Sequence, residues 1–390
     1  MNIKVEASYK SLNKHHEELC GDKVEILETE SSYIIILADG MGSGVKANIL
    51  ATLTSKILGT MFLNGATLDE CVQTIVKTLP VCKERQVAYS TFSILQIFHN
   101  GEGYLVEFDN PSCIFIRDNK CIEMPFEHRI IQGKEIKESR FQVRLNDTFV
   151  LMSDGVIHAG VGKILNFGWL WENVANYAVE VVEKAPTATR LANTISQACD
   201  DLYMKNPGDD TTVAVAKIME RKVVTLFTGP PLSQVDDNRI MRLLMKNQGK
   251  KIVCGGTSAN IAARYLNKEV HTTLEYIDPE IPPIGYIDGI DLVTEGVRTL
   301  SRTLTMLKRY EKEDIDVDFF KELDQQDGGS LVAKALIEDC TDLNLLVGKT
   351  INVAHQSPEL PFDISIRMNL IEQMREVMTK LGKKVTLTYF

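Results

Sequence analysis

The residues that most constrain the fold are Tyr33-Ile34-Ile35-Ile36-Leu37-Ala38-Asp39-Gly40-Met41-Gly42-Ser43-Gly44. An apolar run that reads as a buried strand ends in a carboxylate and then in three glycines within five residues. A helical pattern follows at once, with Val45, Ile49, Leu50, Leu53, Ile57, Leu58 and Met61 spaced along one helix face. Such a strand carries Asp39 to the end of a sheet with little side-chain bulk around it. There the backbone can approach a ligand closely and a carbonyl can turn toward a cation. Taken alone, an Asp-Gly at a strand end is an ordinary turn, because both residues favour turns for local reasons.

Two later stretches repeat the design. Phe149-Val150-Leu151-Met152-Ser153-Asp154-Gly155-Val156 is another apolar strand running into Asp-Gly, and Gly208-Asp209-Asp210-Thr211-Thr212 places acids before the apolar run Val213–Ala216. In antiparallel neighbours the end of one strand lies beside the start of the next, so these acids can meet at one sheet end. Carboxylates that close repel one another and are tolerated mainly when a divalent cation neutralises them. Oxygen ligands without a matching His or Cys cluster suit Mg²⁺ or Mn²⁺ better than Zn²⁺.

The order Gly21-Asp22, Asp39-Gly40-Met41-Gly42-Ser43-Gly44, Ser153-Asp154-Gly155-Val156, Asp209-Asp210-Thr211-Thr212 resembles the metal-dependent type 2C (PPM) serine/threonine protein phosphatases. It is most similar to their bacterial branch typified by the stage-II sporulation phosphatase E (SpoIIE-like), and the resemblance covers about residues 1–218. It implies an αββα sandwich, two β-sheets flanked by helices, with two Mn²⁺ or Mg²⁺ ions at one sheet end. By motif, Asp39 bridges the metals, the Gly40 carbonyl ligates one, Asp154 and Asp209 ligate the other, and Asp22 holds a water of the metal shell. Asp39, Asp154 and Asp209 are thus the catalytic candidates. The implied reaction is in-line attack on phosphorus by water activated between two cations. The implied partner is a phosphorylated protein, of the anti-sigma-antagonist type in this branch, and a homodimer is compatible with it. Many relatives outside the branch use an N-terminal Arg to hold the phosphate. Here no Arg precedes Arg85, leaving Lys10, Lys14 or His16 for that role.

A chain of 390 residues has two domains as its natural prior, and 44% hydrophobic with 25% charged residues is ordinary globular composition. The formal charge of −10 and the lack of a basic block argue against a nucleic-acid surface. Eight scattered cysteines without Cys-x-x-Cys, no apolar N-terminal signal and no membrane-length apolar run predict a cytoplasmic chain with reduced thiols.

Within the first half, Thr67-Leu68-Asp69-Glu70 is a capping box opening a helix through about Leu79. Residues 88–98, 103–108 and 112–117 read as a three-strand meander supplying the second sheet, and 122–145 as a loop plus an edge strand. His15-His16 reads as an exposed polar loop. Asp109, in Phe108-Asp109-Asn110-Pro111, reads as a turn residue, with an extra acid near the site as the other option. Gly160-Val161-Gly162 could hinge, Trp169 and Trp171 read as local core, and a helix runs from about Arg190 to Tyr203.

From Glu220-Arg221-Lys222 onward strands alternate with helices, predicting a smaller α/β domain over 223–390. Strands at 223–227, 251–254, 291–294 and 345–347 each run into a glycine-containing turn, with helices near 297–310 and 363–381 and a last strand at 384–389. Such strand ends are where open α/β sheets take ligands. Gly255, Gly256 and Thr257 at a helix start could hold a small anion on backbone N–H groups. Gly348-Lys349-Thr350 resembles the end of a P-loop, but Leu343 stands where the earlier glycine is required.

The reading is a cytoplasmic phosphoserine/phosphothreonine phosphatase with an appended regulatory or sensing domain. Two other readings stand beside it: an idle phosphatase fold acting as a scaffold, and a ligand sensor centred on the second domain.

Overall fold

The computed structural model describes residues 4–78, 90–272, 284–312, 315–350 and 362–390, with only the backbone described at 317 and 362–365. The expected helix end at Leu79, the strand start at 88, Cys82 and Arg85 fall outside these residues. The chain divides into two compact units, Met1–Glu220 and Arg221–Phe390.

The first unit contains β1 (Lys4–Leu12), β2 (Asp22–Glu28), β3 (Ser32–Gly40), α1 (Gly44–Leu63), α2 (Leu68–Thr78), β4 (Ser90–Phe98) and β5 (Glu102–Phe108). Then come β6 (Ile114–Arg117), β7 (Lys120–Ile122), β8 (Glu127–Ile131), β9 (Lys134–Gln142) and β10 (Thr148–Met152). It closes with α3 (Asp154–Ile157), α4 (Trp171–Val181), α5 (Ala188–Leu202) and β11 (Thr211–Met219). Among the described residues the strands form two antiparallel sheets, ordered β1-β11-β10-β6-β7 and β2-β3-β4-β5-β9-β8.

The unbroken apolar run of β3 follows from burial on both faces. Ile34, Ile36 and Ala38 pack with Leu50, Leu58, Val72 and Ile75 of α1 and α2. Ile35 and Leu37 point the other way, into the layer between the sheets, against Phe149, Leu151, Ala214 and Ala216. Beyond the second sheet, Val150, Met152, Val213 and Val215 meet Val174, Leu191 and Ile195 of α4 and α5. The result is an αββα sandwich. The capping box at α2 is formed: Thr67 N–H donates to Glu70 Oε2 at 2.8 Å, and Glu70 N–H to Thr67 Oγ1 at 3.4 Å.

Two strand assignments from the sequence need correction. The supposed meander is split between the sheets, because β4 and β5 extend the sheet of β3 whereas β6 pairs with β10 in the other. The break lies at Asp109, held at φ 55, and Pro111, which has no N–H to continue a ladder. Residues 122–145 hold a hairpin, β8–β9, turned at Gln132-Gly133 with both residues at positive φ. Only β8 is at the edge, since β9 also pairs with β5. Burial of the polar Glu138 and Ser139 beside Ile136 leaves β9 little apolar period to read.

The second unit contains β12 (Val223–Thr228), α6 (Asp237–Lys246), β13 (Lys250–Cys254), α7 (Gly256–Leu266), β14 (His271–Thr272), β15 (Gly285–Ile287) and β16 (Ile290–Thr294). It continues with α8 (Val297–Glu311), α9 (Val317–Leu323), α10 (Gly328–Glu338), β17 (Asp342–Val347), α11 (Phe362–Lys380) and β18 (Lys384–Tyr389). The sheet order is β14-β15-β16-β13-β12-β17-β18, parallel from β16 to β18. One face buries Val224, Leu226 and Leu345 under α8, α10 and α11. The other buries Phe227 and Val253 under α6 and α7. Each unit thus has its own core. Cleavage near residue 220 is expected to yield two fragments that each melt cooperatively in calorimetry; an insoluble or non-cooperative first fragment would refute the boundary.

Candidate metal centre

The register of β2 on β3 sets Asp22 directly opposite Asp39. In the other sheet, β10 runs antiparallel to β11 with Met152 opposite Val213, so Asp154 just past one strand lies beside Asp209 and Asp210 just before the other. Ser153 joins the two sheets. Its Oγ donates to Asp22 Oδ2 at 2.7 Å and accepts from Thr212 N–H at 2.9 Å. Acids from four strand ends are therefore gathered at one end of the sandwich.

Gly40 is required by space. A Cβ there would lie 2.0 Å from the Ala47 carbonyl oxygen of α1. Gly155 is equally tight, its Cβ falling 2.1 Å from the Asp210 carbonyl oxygen. These two glycines let α1 and the β11 entry close onto the acid-bearing turns.

Negative charge outweighs positive in the cluster, where Lys14 is the cation that reaches Asp209. Burial, then the charges of Asp22, Asp154, Asp209 and Asp210, push the Asp39 carboxyl up to about 9. Asp22, 3% exposed, is raised to about 7, chiefly by burial, against the pull of the Ser153 and Thr212 hydroxyls. Among the described residues, Asp22 Oδ1 and Asp210 Oδ2 are buried and find no hydrogen-bond partner. Buried carboxylate oxygens left unpaired, oxygen donors only, and mutual repulsion together fit a hard divalent cation. Among the described residues no three His, Cys, Asp or Glu side chains converge closely enough to hold a metal ion by themselves.

Sequence reasoning singled out Asp209 and passed over Asp210. Asp210 is the buried one, 4% exposed, and its Oδ1 accepts from the Lys14 N–H at 3.0 Å. Its Oδ2 would lie 2.6 Å from a Cβ on Gly21, so it fixes the 14–21 loop around the site. The doubled Asp209-Asp210 was the available signal. Of the basic candidates, Lys14 reaches the cluster, with Nζ 3.5 Å from Asp209 Oδ1. Lys10 lies on β1 opposite Val213, and the His15 and His16 rings meet at a tilt with centroids 3.8 Å apart. Asp109 is an exposed turn residue and is not among the charges acting on Asp39. Trp171 is local core, its Nε1–H donating to the Ser112 carbonyl at 2.6 Å. Gly160 and Gly162 form a turn at positive φ.

The family model for Stage II sporulation protein E (SpoIIE) matches residues 29–219, ending where the first unit ends. The first unit is a SpoIIE-like PPM phosphatase domain. Among solved structures, the PP2C phosphatase domain of SpoIIE from Bacillus subtilis, with a fragment of its regulatory domain, aligns at 18% identity and TM-score 0.46, covering 56% of this chain and 64% of that one. Another crystal form of the B. subtilis domain gives 18%, TM-score 0.44, and 60% and 97% coverage. The RsbU and RsbW domains of a Mycobacterium tuberculosis protein give 16%, TM-score 0.46, and 63% and 68% coverage. No curated protein sequence matches the chain. No helix among the described residues of the SpoIIE-like domain or the second unit is long and apolar enough to cross a membrane.

Proposed function

We propose that the chain is a divalent-metal-dependent phosphoserine/phosphothreonine protein phosphatase whose second unit, about residues 223–390, sets the rate of the first, about residues 1–218. The observation that carries the reading is the convergence of Asp22, Asp39, Asp154, Asp209 and Asp210 at one end of the sandwich, where burial and then the neighbouring charges raise the Asp39 carboxyl. A carboxylate held there has no use for its charge unless a cation shares it.

In this reading Asp39, the Gly40 carbonyl, Asp154 and Asp209 would hold two Mn²⁺ or Mg²⁺ ions. When bound, the ions supply Lewis acidity toward the phosphoryl oxygens and lower the pKa of water. Asp22, fixed by Ser153, orients a water or takes its proton. Asp210 holds the loop that carries Lys14, and the Lys14 ammonium offsets the phosphate charge. The substrate class is a phosphoprotein, and within this family an anti-sigma-antagonist-like protein is the natural candidate.

Hydrolysis of a phosphoserine peptide by the full chain is expected to require Mn²⁺ or Mg²⁺ and to cease in excess chelator. Undiminished turnover under chelation would refute the metal reading, and no turnover in saturating Mn²⁺ would leave a scaffold role. Lys14→Met is expected to raise KM for the peptide about tenfold with a smaller effect on kcat, and Lys14→Arg to retain most of the affinity. An unchanged KM in Lys14→Met would remove Lys14 from substrate binding.

A further inference from the structure

At α5, α9 and α10 the residue before the helix closes its N-terminus. Thr187 accepts from Arg190 N–H, Asp316 from Phe319 N–H, and Asp327 from Gly329 and Ser330 N–H. At α7, where the sequence suggests an anion on Gly255, Gly256 and Thr257, the Gly255 N–H donates to the Thr294 carbonyl of β16 at 2.9 Å.

α1 is closed differently. Ser43, which precedes it, makes no capping bond, and its first turn holds no acid. The carboxylate comes instead from Glu17, 26 residues earlier, whose Oε1 accepts from Ser43 Oγ at 3.0 Å. Gly44 opens the helix at φ 65, and a Cβ there would fall 2.2 Å from Glu17 Oε2. Both carboxylate oxygens are thus set against the Ser43-Gly44 junction, where the helix dipole favours negative charge.

That junction ends the turn that begins at Gly40. Gly42, in its middle, is exposed at φ 103 with nothing within 4 Å of a Cβ, so the outer side of the turn is open. Glu17 lies in the 13–21 loop between β1 and β2, and this loop is anchored at both ends. Near its start Lys14 N–H donates to Asp210 Oδ1 at 3.0 Å and His15 N–H to the Pro207 carbonyl at 2.8 Å. At its end Asn48 Nδ2 donates to the Cys20 carbonyl at 2.8 Å and Gly40 N–H to the Gly21 carbonyl at 3.1 Å. Glu17 is the anchor between them. It ties the loop that carries Lys14 and leads into Asp22 to the turn that follows Asp39 and Gly40.

We propose that Glu17 is a positioning residue for the cation centre. Through Ser43 and Gly44 it fixes the Gly40–Ser43 turn, and with it the direction in which the Gly40 carbonyl points. The role rests on the metal reading above, and no bond from Glu17 to a cation is part of it. Removing a group that orients a metal ligand without touching the metal commonly costs roughly ten- to a hundredfold in metal affinity.

The experiment is calorimetric titration of the full chain with Mn²⁺, without substrate, for wild type, Glu17→Ala, Ser43→Ala and the double variant, with the metal-free melt of each. Glu17→Ala is expected to weaken Mn²⁺ about tenfold. Ser43→Ala changes no charge and removes only the donor to Oε1, so it should weaken Mn²⁺ about threefold. Because the two act through one bond, the double variant should match Glu17→Ala, with no multiplication of the losses. Glu17→Gln keeps an acceptor for Ser43 and should bind Mn²⁺ more tightly than Glu17→Ala. The proposal is overturned if Glu17→Ala keeps wild-type affinity while its melt falls, since Glu17 is then a helix cap and nothing more. It is also overturned if Glu17→Gln is as weak as Glu17→Ala and Ser43→Ala is silent, which would make Glu17 a cation ligand or a distant charge. Should Glu17→Ala fail to fold, Ser43→Ala decides, and wild-type affinity there overturns the proposal. A wild type that takes up no Mn²⁺ refutes the metal reading together with the role built on it. Mn²⁺ binding indifferent to both Glu17 and Ser43 refutes the role alone.

Discussion

Asp39→Asn is expected to lower phosphopeptide turnover roughly 10³-fold, because under the proposed function Asp39 would help hold the cations, and losing its charge would remove several kcal/mol of transition-state stabilisation. The same substitution should raise the melting temperature of the first unit in chelator. Without metal, folding must keep Asp39 protonated beside Asp22, Asp154, Asp209 and Asp210, and Asn keeps the shape with no carboxyl to protonate. The pH dependence follows in sign. The folded-state value, about 9, stands above the ordinary 3.8. The protonated form is therefore retained on folding, and stability from this group is complete below 3.8 and lost as pH rises toward 9. Metal-free wild type should melt lower at pH 8 than at pH 5, and Asp39→Asn should show a smaller drop. Added Mn²⁺ should reverse the trend in wild type. Wild-type turnover in Asp39→Asn at saturating Mn²⁺ would exclude the assigned role, and a pH-independent metal-free melt would exclude the repulsion.

Gly40→Ala is the second large effect, and its cause is distance. The added methyl would meet the carbonyl oxygen, carbonyl carbon and Cα of Ala47 at 2.0, 2.7 and 3.0 Å, all backbone atoms of α1 that cannot rotate away. The helix must shift, at a cost of about 3 kcal/mol, and the Gly40 carbonyl moves with it. Activity should fall below detection and the first unit should melt several degrees lower. Gly42→Ala is the control. Its position has φ 103 with nothing within 4 Å, so it meets strain of about 1 kcal/mol and no collision. Equal losses in the two variants would disprove the distinction.

How much of this was legible in the sequence depends on the signal each residue carried. Asp39, Asp154 and Asp209 each sit where an apolar strand meets a glycine or acid turn, and antiparallel pairing then brings strand ends together. Asp22 was reached only through motif order, since Gly21-Asp22 alone marks a turn. Asp210 was missed because adjacent acids look equivalent until one is buried. The β8–β9 hairpin was missed because a half-exposed strand with charged outer positions has little apolar period to read. The split of the supposed meander depends on which sheet each strand joins, and that is decided by long-range pairing. In the second unit the strands and long helices follow from alternation.

The Ser153 hydroxyl bond to Asp22 has a mechanical meaning. Asp22 and Asp39 belong to one layer of the sandwich, Asp154 and Asp209 to the other, and the layers are otherwise held together by side chains such as Phe149 and Leu37. The candidate centre is therefore a rivet through two plates, and its span is set by how far the plates have slid. Substitutions in the layer between the sheets, remote from every acid, should be felt at the rivet as altered cation affinity before they are felt as unfolding. An effector that displaced one sheet by a fraction of an ångström could switch the centre without touching it.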